Sequence, residues 1–596
     1  MFLATTADQR FWKKDERILF LGEWCKLFNQ KSIWTQLEHE VLPYHWQSRE
    51  KYFQDNIYLN QLYESWLPII AENLNTVHNE NHSCQYWRIV IGVWLSCFIE
   101  IFYERYLSIR HVADSQQATL TWVPHIEETN FTPKDTFTLS TWHSQDDYNL
   151  YLYSWLIKKI NIIPVEVKSH LLQIEQVSSP YDGLDELQQE KTGLKIKIKW
   201  KIKNMLEVYS RLLSKSCQDV VLVSLYARKQ DLIKLQLALG QFPDLHAPHI
   251  KLSEVDINLE LRSNLNFPKG NDEFTSLLSQ LVPSQIPKSY LENYQELNKK
   301  SKKYFPKNPK VIVTSNAHYQ NEGFKVWCAY HMENGAQLIG MPHGSNYGTA
   351  LQSSNETHEK KVADYYLSWG WEDEKSSHVI PFPSIQLAGT QKQIRSDPEG
   401  GILWVGISRS RYATFSHSIL RGCEMLEYMN DQKVFLSALD SKVKKILKMR
   451  SFHTDYGWNV KERLIDAIPG LQFSDKKKTL NQELCKSRLW VSAYNSSPIL
   501  ETLSANFPTI AFWDFNHWEL RDAATPYFED LVRVGIVHKT PASAARKVNE
   551  IYQDPMLWWL SPEVQEVKKR FCRQFARTSS TWVSDWKKEI FRIAKK

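Results

Sequence analysis

The segment LWVSAYNSSPILE, residues 489–501, joins a buried strand to the start of a helix. Its first four residues form a short apolar run, which is typical of a strand in a parallel sheet. Pro498 suits the first turn of a helix, and a serine before it suits the helix cap. Because the first amides of a helix lack intrahelical partners, this junction can either bind a phosphate or act only as a cap. The candidates for a phosphate site are Asn495, Ser496 and Ser497, and Glu501 is the candidate acceptor for a ribose hydroxyl.

The alternation of strands and helices continues on both sides of this segment. In the C-terminal half, strand-like runs occur at 402–405 and 509–512, and helices are predicted at about 416–428, 434–448 and 498–506. Earlier strand-like runs lie at residues 2–6, 18–21, 118–123, 220–224, 311–314, 337–341 and 365–368. Strands that alternate with helices predict a mainly parallel sheet with helices on both faces.

The aperiodic stretch 381–400 contains Pro, Gly, Ser and Gln, and is the best candidate for a linker. It separates two α/β halves of the chain. The predicted boundaries are an N-terminal domain with helical insertions at 1–385, a linker at 386–400, a C-terminal domain at 401–560 and terminal helices at 561–596.

The composition is that of a globular protein. The 596 residues are 42% apolar and 23% charged, which excludes a mainly disordered or fibrous chain. The net charge of +6 is too mild to indicate a nucleic-acid partner, but it is compatible with anionic ligands or peripheral contact with a membrane surface. None of the eight cysteines forms a CxxC pair, which favours reduced, packed thiols in a cytoplasm.

Two stretches raise the question of membrane contact. Residues 89–103 are strongly apolar but shorter than the roughly 20 residues that span a bilayer, so we expect a buried core helix. Residues 191–203, KTGLKIKIKWKIK, alternate Lys with apolar residues and predict an edge strand protected by its lysines, with a helix or a membrane-facing strip as alternatives. No signal peptide is recognised at the N-terminus, and the 23 Trp residues are attributed mainly to packing.

A second candidate loop is MPHGSNYG, residues 341–348, directly after a predicted strand. His343 can move a proton or bond a phosphate there, and Gly344 permits close backbone approach to a ligand. A turn histidine bonded to the backbone is the alternative. Tyr347 is a further cleft candidate.

Charged residues follow other predicted strands. Arg409 and Arg411, in GISRSR at 406–411, can hold a phosphate or a carboxylate, or can lie on a solvated loop. Three carboxylates are candidates for a nucleophile or base, and each could equally be structural: Glu23, Asp8 and Asp147. Arg450 and Asp455 are predicted to form an ion-paired network with Arg463, either at the cleft or as part of the scaffold.

The chain shows no P-loop, GxSxG, HExxH or GxGxxG motif, and no Asp pair follows a clear strand to hold a divalent metal. We therefore expect no metal and no cofactor.

Together these clusters resemble a family of transferases encoded in bacterial O-antigen and surface-carbohydrate loci. The resemblance covers nearly the whole chain. It rests on segments such as ILFLGEWC at 18–25, YWRIVIGVWL at 86–95, PHGSNYG at 342–348, ADYYLSWGW at 363–371 and YNSSPILE at 494–501. The family usually shows Gln-His-Gly-Gly at the histidine loop, where this chain has Pro342 and Ser345 in place of the Gln and the second Gly.

This resemblance implies a GT-B fold, in which two Rossmann-like domains face each other and a C-terminal helix returns to the first. The Ser-Ser pair is similar to the phosphate-binding pair of GT-B sialyltransferases, which use CMP-activated nonulosonic acids. The His-Gly loop is similar to that of teichoic-acid transferases, which use CDP-alditols.

The resulting hypothesis is a metal-independent glycosyltransferase of the cytoplasm that builds surface polysaccharide, O-antigen or lipopolysaccharide. Its expected donor is a CMP-linked nonulosonic acid or Kdo, and its expected acceptor is a glycan or lipid-linked glycan. The alternatives are a CDP-alditol phosphotransferase on the same fold and a non-catalytic scaffold of a polysaccharide assembly complex.

Overall fold

The computed structural model describes residues 1–175, 219–243, 248–344, 346–414, 417–475 and 477–595. The strand predicted at 191–203 lies outside these ranges. Three parallel sheets form the framework, and helices cover their faces.

The N-terminal sheet has five parallel strands in the order β3-β2-β1-β4-β5. The strands are β1 Phe2–Ala4, β2 Ile18–Phe20, β3 His39–Val41, β4 Leu120–His125 and β5 Val165–Leu171. The helices of this region are Lys31–Trp34, Arg49–His78, Cys84–Ser115, Thr136–Trp142 and Asp146–Ile160. The strand order reverses between β1 and β4, so their following loops open a crevice at the carboxyl edge of the sheet.

The middle sheet also has five parallel strands, in the order β10-β9-β8-β7-β6. They are β6 Val220–Val223, β7 Val311–Thr314, β8 Gln337–Gly340, β9 Tyr365–Ser368 and β10 Val379–Pro381. The helices are Lys229–Ala238, Leu259–Ser263, Glu273–Gln285, Tyr294–Tyr304, Ala317–Gln320, Glu322–Glu333, Ser354–Val362 and Ile385–Thr390. The last of these helices lies inside the stretch that we predicted to be aperiodic.

The C-terminal sheet has six parallel strands in the order β13-β12-β11-β14-β15-β16. They are β11 Gly401–Val405, β12 Leu447–Arg450, β13 Gln472–Phe473, β14 Ser487–Ser492, β15 Thr509–Phe512 and β16 Val537–His538. The helices are Met425–Ser437, Ser441–Ile446, Val460–Ala467, Leu480–Leu484, Ser497–Ser504, Thr525–Arg533, Pro541–Ile551, Pro555–Trp559, Pro562–Phe575 and Trp582–Ala594. This is the Rossmann strand order, with its reversal between β11 and β14.

The last helix, Trp582–Ala594, leaves the C-terminal sheet and packs on the middle sheet. Trp586 is buried there, and its Nε1 donates to the carbonyl of Pro383 at 2.9 Å. The predicted α/β architecture of GT-B type, with Rossmann-like domains and a returning helix, is confirmed. The N-terminal half, however, contains two sheets where we had predicted one domain with helical insertions.

The local predictions fail in one region of the C-terminal half. Residues 417–424, predicted to be helical, are irregular apart from a single 3-10 turn at Gly422–Glu424, and the helix Met425–Ser437 begins after them. Strand β12, Leu447–Arg450, begins inside the helix predicted at 434–448 and takes in its last two residues. Buried Leu447 and Met449 alternate with more exposed neighbours, which fits a strand. Pairing with β11 stabilises this segment as a strand instead of a helix.

The apolar helix is a core helix, as expected. Within the described residues, Cys84–Ser115 is long and apolar enough to cross a membrane, but 83% of its most apolar window is buried inside the protein. Trp94, Phe98 and Phe102 stack along one face, at ring separations of 6.0 and 5.9 Å. Among the residues that the structure describes, ten tryptophans are less than 2% exposed, which agrees with packing as their main role.

Candidate active site

The carboxyl edge of the C-terminal sheet brings the loops after β11 and β14 side by side at the switch point. The loop after β14 leads directly into the helix Ser497–Ser504. Ser496 is 2% exposed, and its Oγ lies 3.1 Å from the Oγ of Ser492 instead of capping the helix that follows. The start of this helix therefore lies where a parallel α/β sheet binds ligands, with its dipole positive towards the crevice.

Arg409 follows β11 on the other side of the switch point. Its backbone carbonyl accepts a 2.9 Å hydrogen bond from Trp458 Nε1, which holds the loop in place. Within the part of the chain that the structure describes, its Nε is buried without a partner and no carboxylate lies within 4.0 Å. Burial lowers the pKa of this guanidinium, while the nearby Tyr494 and Tyr456 act in the opposite direction. A desolvated cation without a carboxylate is suited to an anionic ligand.

The histidine loop of the middle sheet meets this helix start directly. A Cβ placed on Gly344 would lie 3.3 Å from Ser497 Oγ, closer than most Cβ contacts. Glycine at this position thus allows the loop after β8 to approach the first turn of the helix. His343 and the candidate phosphate site consequently belong to one crevice between the middle and C-terminal sheets.

His343 rests on a buried carboxylate, Glu359, which comes from the helix Ser354–Val362. Glu359 Oε1 lies 3.4 Å from His343 Nδ1, and the Tyr347 hydroxyl lies 2.9 Å from the same nitrogen. The His343 side chain is 21% exposed, whereas that of Glu359 is 1% exposed. The imidazole therefore faces the crevice with a carboxylate behind it.

Glu359 is held in its charged form by its surroundings. It accepts hydrogen bonds from three tyrosine hydroxyls, those of Tyr347 at 2.6 Å and of Tyr319 and Tyr366 at 2.8 Å. Burial by itself raises the pKa of Glu359, but hydrogen bonds and charges from His318 and His343 outweigh burial and lower it to about 2. This set of contacts is that of a carboxylate that orients an imidazole.

The face of His343 is covered by Tyr226, from the loop after β6. The two rings are nearly parallel, 5.9 Å apart with an interplanar angle of 16°. Ser224 and Tyr226 both adopt left-handed backbone conformations, with φ of 52° and 53°. Non-glycine residues rarely adopt this conformation, and such strain is concentrated at functional sites. Tyr226 is nevertheless 56% exposed, so it forms part of the crevice wall.

Arg411, predicted alongside Arg409, has a different environment. Its Nη2 pairs with Asp146 at 2.6 Å, its Nη1 donates to the carbonyl of Trp24, and its Nε donates to the carbonyl of Tyr456 at 3.0 Å. Asp146 also accepts from the Tyr412 hydroxyl. All three guanidinium nitrogens of Arg411 are thus engaged, and two of them, Nη1 and Nη2, join the C-terminal region to the N-terminal region.

The three candidate carboxylates lie at the carboxyl edge of the N-terminal sheet. Asp8 caps the 3-10 turn Gln9–Phe11 and pairs with Arg10 at 2.6 Å, and Glu23 pairs with Lys26 at 3.1 Å. Burial and the neighbouring carboxylates of Asp8 and Asp146 raise the pKa of Asp147 to about 6. Asp147 is therefore the candidate among them with the protonation behaviour of an acid or base.

The remaining candidates contact other protein groups. Both oxygens of Asp455 accept backbone amides, from Asn459 at 2.6 Å and Val460 at 2.9 Å, at the start of the helix Val460–Ala467. Arg450 pairs with Glu483 at 2.7 Å instead of joining the network that we predicted. Glu501 accepts from Gln386 of the middle region at 3.3 Å, and burial raises its pKa.

Sequence reasoning missed Glu359 together with its partners Tyr319, Tyr366 and His318. Glu359 lies in SNETHEKKV, a polar segment in which it cannot be distinguished from Glu356. The adjacent YYLS strand was part of a recognised segment, but its individual residues carried no signal for a role. Among the described residues, no group of three or more His, Cys, Asp or Glu side chains is arranged to hold a metal ion.

Comparison with known proteins gives a family match and a set of remote structural similarities. The model of the LIC12162 family transferases matches residues 1–590. No curated protein matches the sequence. At 11% identity, a UDP-GlcNAc 2-epimerase from Neisseria meningitidis is similar over 63% of this chain and 98% of its own, with a TM-score of 0.33.

A trehalose 6-phosphate synthase from Burkholderia multivorans is similar at 10% identity over 52% of this chain and 77% of its own, with a TM-score of 0.30. The wall teichoic acid polymerase TagF is similar at 11% identity over 50% of this chain and 85% of its own, with a TM-score of 0.27. Similarity at this level carries no information about donor or acceptor.

Proposed function

The chain belongs to the LIC12162 family of transferases, and from that premise we propose that it is a glycosyltransferase that uses a nucleotide-activated sugar. The donor phosphate binds at the start of the helix Ser497–Ser504, and His343 acts on the group bound there. The observation that carries this proposal is the contact between Gly344 and Ser497, which joins the histidine loop to the helix start.

The phosphate site combines two kinds of positive potential. The first amides of the helix and the hydroxyls of Ser496 and Ser497 supply hydrogen bonds, and Arg409 supplies a full charge without a protein carboxylate in its described surroundings. As the donor bond breaks, negative charge develops on the leaving phosphate. Donors fixed in place before the reaction stabilise that charge more than the ground state, which is how such a site accelerates transfer. Arg411 is not part of this site because Asp146 and two carbonyls occupy it.

His343 is the proposed proton-transfer residue. Glu359 is buried and charged, and two histidines among the described residues lie near its Oε1, His343 at 3.4 Å and His318 at 3.7 Å, where burial lowers the pKa of His318. A buried carboxylate therefore lies behind His343, while the imidazole stays accessible from the crevice. In this arrangement His343 donates a hydrogen bond or a proton to the leaving phosphate. Asp147, with its raised pKa, is the carboxyl proposed to act on the acceptor.

The finer specificity is also a proposal. We propose a cytidine nucleotide, with a CMP-linked nonulosonic acid or Kdo as donor and a surface-glycan precursor at the cytoplasmic face of the membrane as acceptor. The support is the similarity of the Ser-Ser-Pro helix start and the His-Gly loop to those of cytidine-nucleotide transferases. We propose that the reaction needs no metal and no cofactor.

The test measures nucleotide binding and transfer separately. Thermal-shift measurements with CMP, CDP, UDP, GDP and ADP first identify the nucleotide. Replacing Ser496 and Ser497 by Ala should then weaken its binding in calorimetry by about tenfold or more, the loss expected for charge-assisted hydrogen bonds. Ser504→Ala, at the other end of the same helix, is the matched control, since its hydroxyl contacts only the Glu501 carbonyl at 2.9 Å. Unchanged affinity in the double variant would overturn the phosphate assignment.

His343→Ala should reduce transfer by about 10²–10⁴-fold while nucleotide binding persists, as for loss of a general acid or base. Full activity of this variant would remove His343 from the reaction. Product analysis separates the two transferase types, because a CDP-alditol phosphotransferase would leave a phosphodiester instead of a glycosidic bond. A chain that bound none of the five nucleotides would act as a scaffold.

A further inference from the structure

A second polar cavity lies between the long loop after β11 and the N-terminal helices. Its volume is about 110 Å³, and its walls include Arg409, Ser410, Arg421, Gly422 and Tyr456, with His143 from the N-terminal region. This volume accommodates a compact group such as a phosphate or a carboxylate, but not a whole nucleotide. The cavity is separate from the helix start Ser497–Ser504, none of whose residues line it.

Three hydrogen-bond donors on the cavity wall lack a partner. Within the described ranges, Arg409 Nε, Ser410 Oγ and Arg421 Nη1 are all buried and make no hydrogen bond. Buried polar groups are almost always paired, because leaving one unpaired costs free energy. Three such donors on one small cavity therefore indicate that a ligand pairs with them.

The Arg421 guanidinium is rigidly positioned for this role. Its side chain is 5% exposed, and its Nε donates to Glu424 at 2.8 Å. Tyr44 and Tyr52 lie against it, with ring centroids 5.7 and 4.7 Å away. Because these contacts use its other nitrogens and its flat faces, the Nη1 edge is what remains for the cavity.

The loop is folded so that Arg421 and Ser410 meet. A Cβ at Gly422 would lie 2.3 Å from the carbonyl oxygens of Ser410 and Arg411, so glycine alone permits this close return of the chain. The positive charge on the cavity wall also favours an anionic ligand. Glu424 pairs with Arg421 and, at 3.1 Å, with Arg49, which also pairs with Glu519; the uncompensated charge on the wall is that of Arg409, which has no carboxylate within ion-pair distance in the described structure.

We infer that this cavity binds a compact oxyanion, a phosphate or a carboxylate, carried by a substrate of the enzyme. Arg409, Ser410 and Arg421 donate to its oxygens. The existence of the site is independent of the proposed function, whereas the identity of the molecule that carries the oxyanion rests on it. A keto-acid sugar donor would present its carboxylate, and a phosphorylated acceptor or donor would present a phosphate.

The experiment uses inorganic phosphate as its probe. Because Arg409 is also assigned to the proposed phosphate site, the variants are Ser410→Ala and Arg421→Gln, made in the background that already lacks the hydroxyls of Ser496 and Ser497. Thermal unfolding is followed against phosphate concentration, with ionic strength held constant by chloride. The background protein should still be stabilised by phosphate, and each variant should raise the half-saturating concentration by about tenfold, as expected for one charge-assisted hydrogen bond.

Arg49→Gln is the matched control. It removes the other guanidinium from Glu424 without touching the cavity, so its phosphate response should equal that of the background protein. If Ser410→Ala folds normally and responds to phosphate like the background protein, the inference is wrong. This result leaves the nucleotide measurements on Ser496 and Ser497 unaffected, so the two proposals fail independently.

A second arm identifies the source of the oxyanion. The same titration is made with free Kdo, which carries a carboxylate, and with a neutral hexose. Stabilisation by Kdo that depends on Ser410 assigns the cavity to a carboxylate, and stabilisation by phosphate alone assigns it to a phosphate. If neither probe gives stabilisation that depends on Ser410, the cavity is not an oxyanion site.

Discussion

The C-terminal sheet contacts both the N-terminal sheet and the middle sheet. The two interfaces differ in how many of their polar side chains have a hydrogen-bond or ion-pair partner within the protein. Towards the N-terminal sheet, Arg411 donates to Asp146 and to the carbonyl of Trp24, and its remaining nitrogen donates to the carbonyl of Tyr456 within the C-terminal region. Towards the middle sheet, the helix start at Ser497 meets Gly344, with the partly exposed His343 beside it.

This difference separates a structural contact from a binding crevice on physical grounds. An ion pair whose donors are all used has nothing left for a ligand, and its loss costs stability. A desolvated guanidinium without a carboxylate, and a partly exposed imidazole in front of a buried carboxylate, can still be stabilised by an anion that binds between them. Two arginines only two positions apart, Arg409 and Arg411, thus have opposite roles.

The largest expected effect is a loss of stability at the interface with the N-terminal sheet, where every guanidinium nitrogen of Arg411 is bonded. Arg411→Ala leaves Asp146 and two carbonyls without their donor, and should destabilise the protein by about 3 kcal/mol, the range for breaking a buried ion pair. The measurement is the midpoint of thermal unfolding by calorimetry. Arg533→Ala, which breaks a surface pair with Glu563, is the control and should change stability by less than about 1 kcal/mol. Equal effects of the two changes would contradict the structural role of Arg411.

An intermediate effect, on the rate of transfer, is expected at the interface with the middle sheet, where His343 lies. Glu359→Gln keeps a hydrogen-bonding group behind His343 but removes the charge, and should lower transfer by about 10–100-fold, as for other carboxylates that orient a histidine. Nucleotide affinity should be retained, and the alkaline limb of the pH–rate profile should move to lower pH, because the imidazole that donates the proton loses the negative charge behind it. The control is Glu356→Gln on the same helix, whose carboxylate pairs with Arg521 at 3.0 Å. A structural role alone would give both variants the same pH profile.

The smallest effect concerns Asp147. Its pKa of about 6 in the folded protein is above its ordinary value of 3.8. Between pH 4 and pH 6 the folded carboxyl holds its proton more tightly than the unfolded one, so its contribution to stability falls as the pH rises through this range. Asp147→Asn removes this loss, and the variant should lose less stability than the native protein between pH 4 and pH 7.

Chemical unfolding at a series of pH values measures the Asp147 effect. Asp15→Asn, at an exposed aspartate, is the control and should follow the native curve. If the Asp147 variant also follows that curve, the carboxyl is not perturbed by its neighbours.

Much of the fold could be predicted because its signals are local. Short apolar runs such as 220–223 and 489–492 are strands in the structure, and Pro498 stands in the first turn of its helix as expected. Most of the strands missed by prediction, β3, β10, β12, β13 and β16, have only two to four residues, whereas β5 has seven, none of them fully buried. Such strands form because a neighbouring strand offers hydrogen bonds, which no local pattern records.

The candidate site was predictable in part for the same reason. His343, Ser496 and Arg409 each follow a strand, and residues after parallel strands gather at one edge of a sheet. Glu359 could not be found in this way, because it comes from the middle of a polar helix. Its importance arises from burial beneath His343 and from three tyrosines that come from separate elements.

The sequence by itself determined the parallel α/β class, the helix start after β14 and the histidine after β8, since each depends on residues adjacent in the chain. Only the tertiary structure decided that Gly344 lies close to Ser497 and that the Glu359 carboxylate lies behind His343. It also decided that Arg411 pairs with Asp146, whereas Arg409 has no carboxylate partner in the described residues. The physical reason is that charge compensation and desolvation depend on which groups come within about 4 Å of each other, and distant segments of the chain supply those groups.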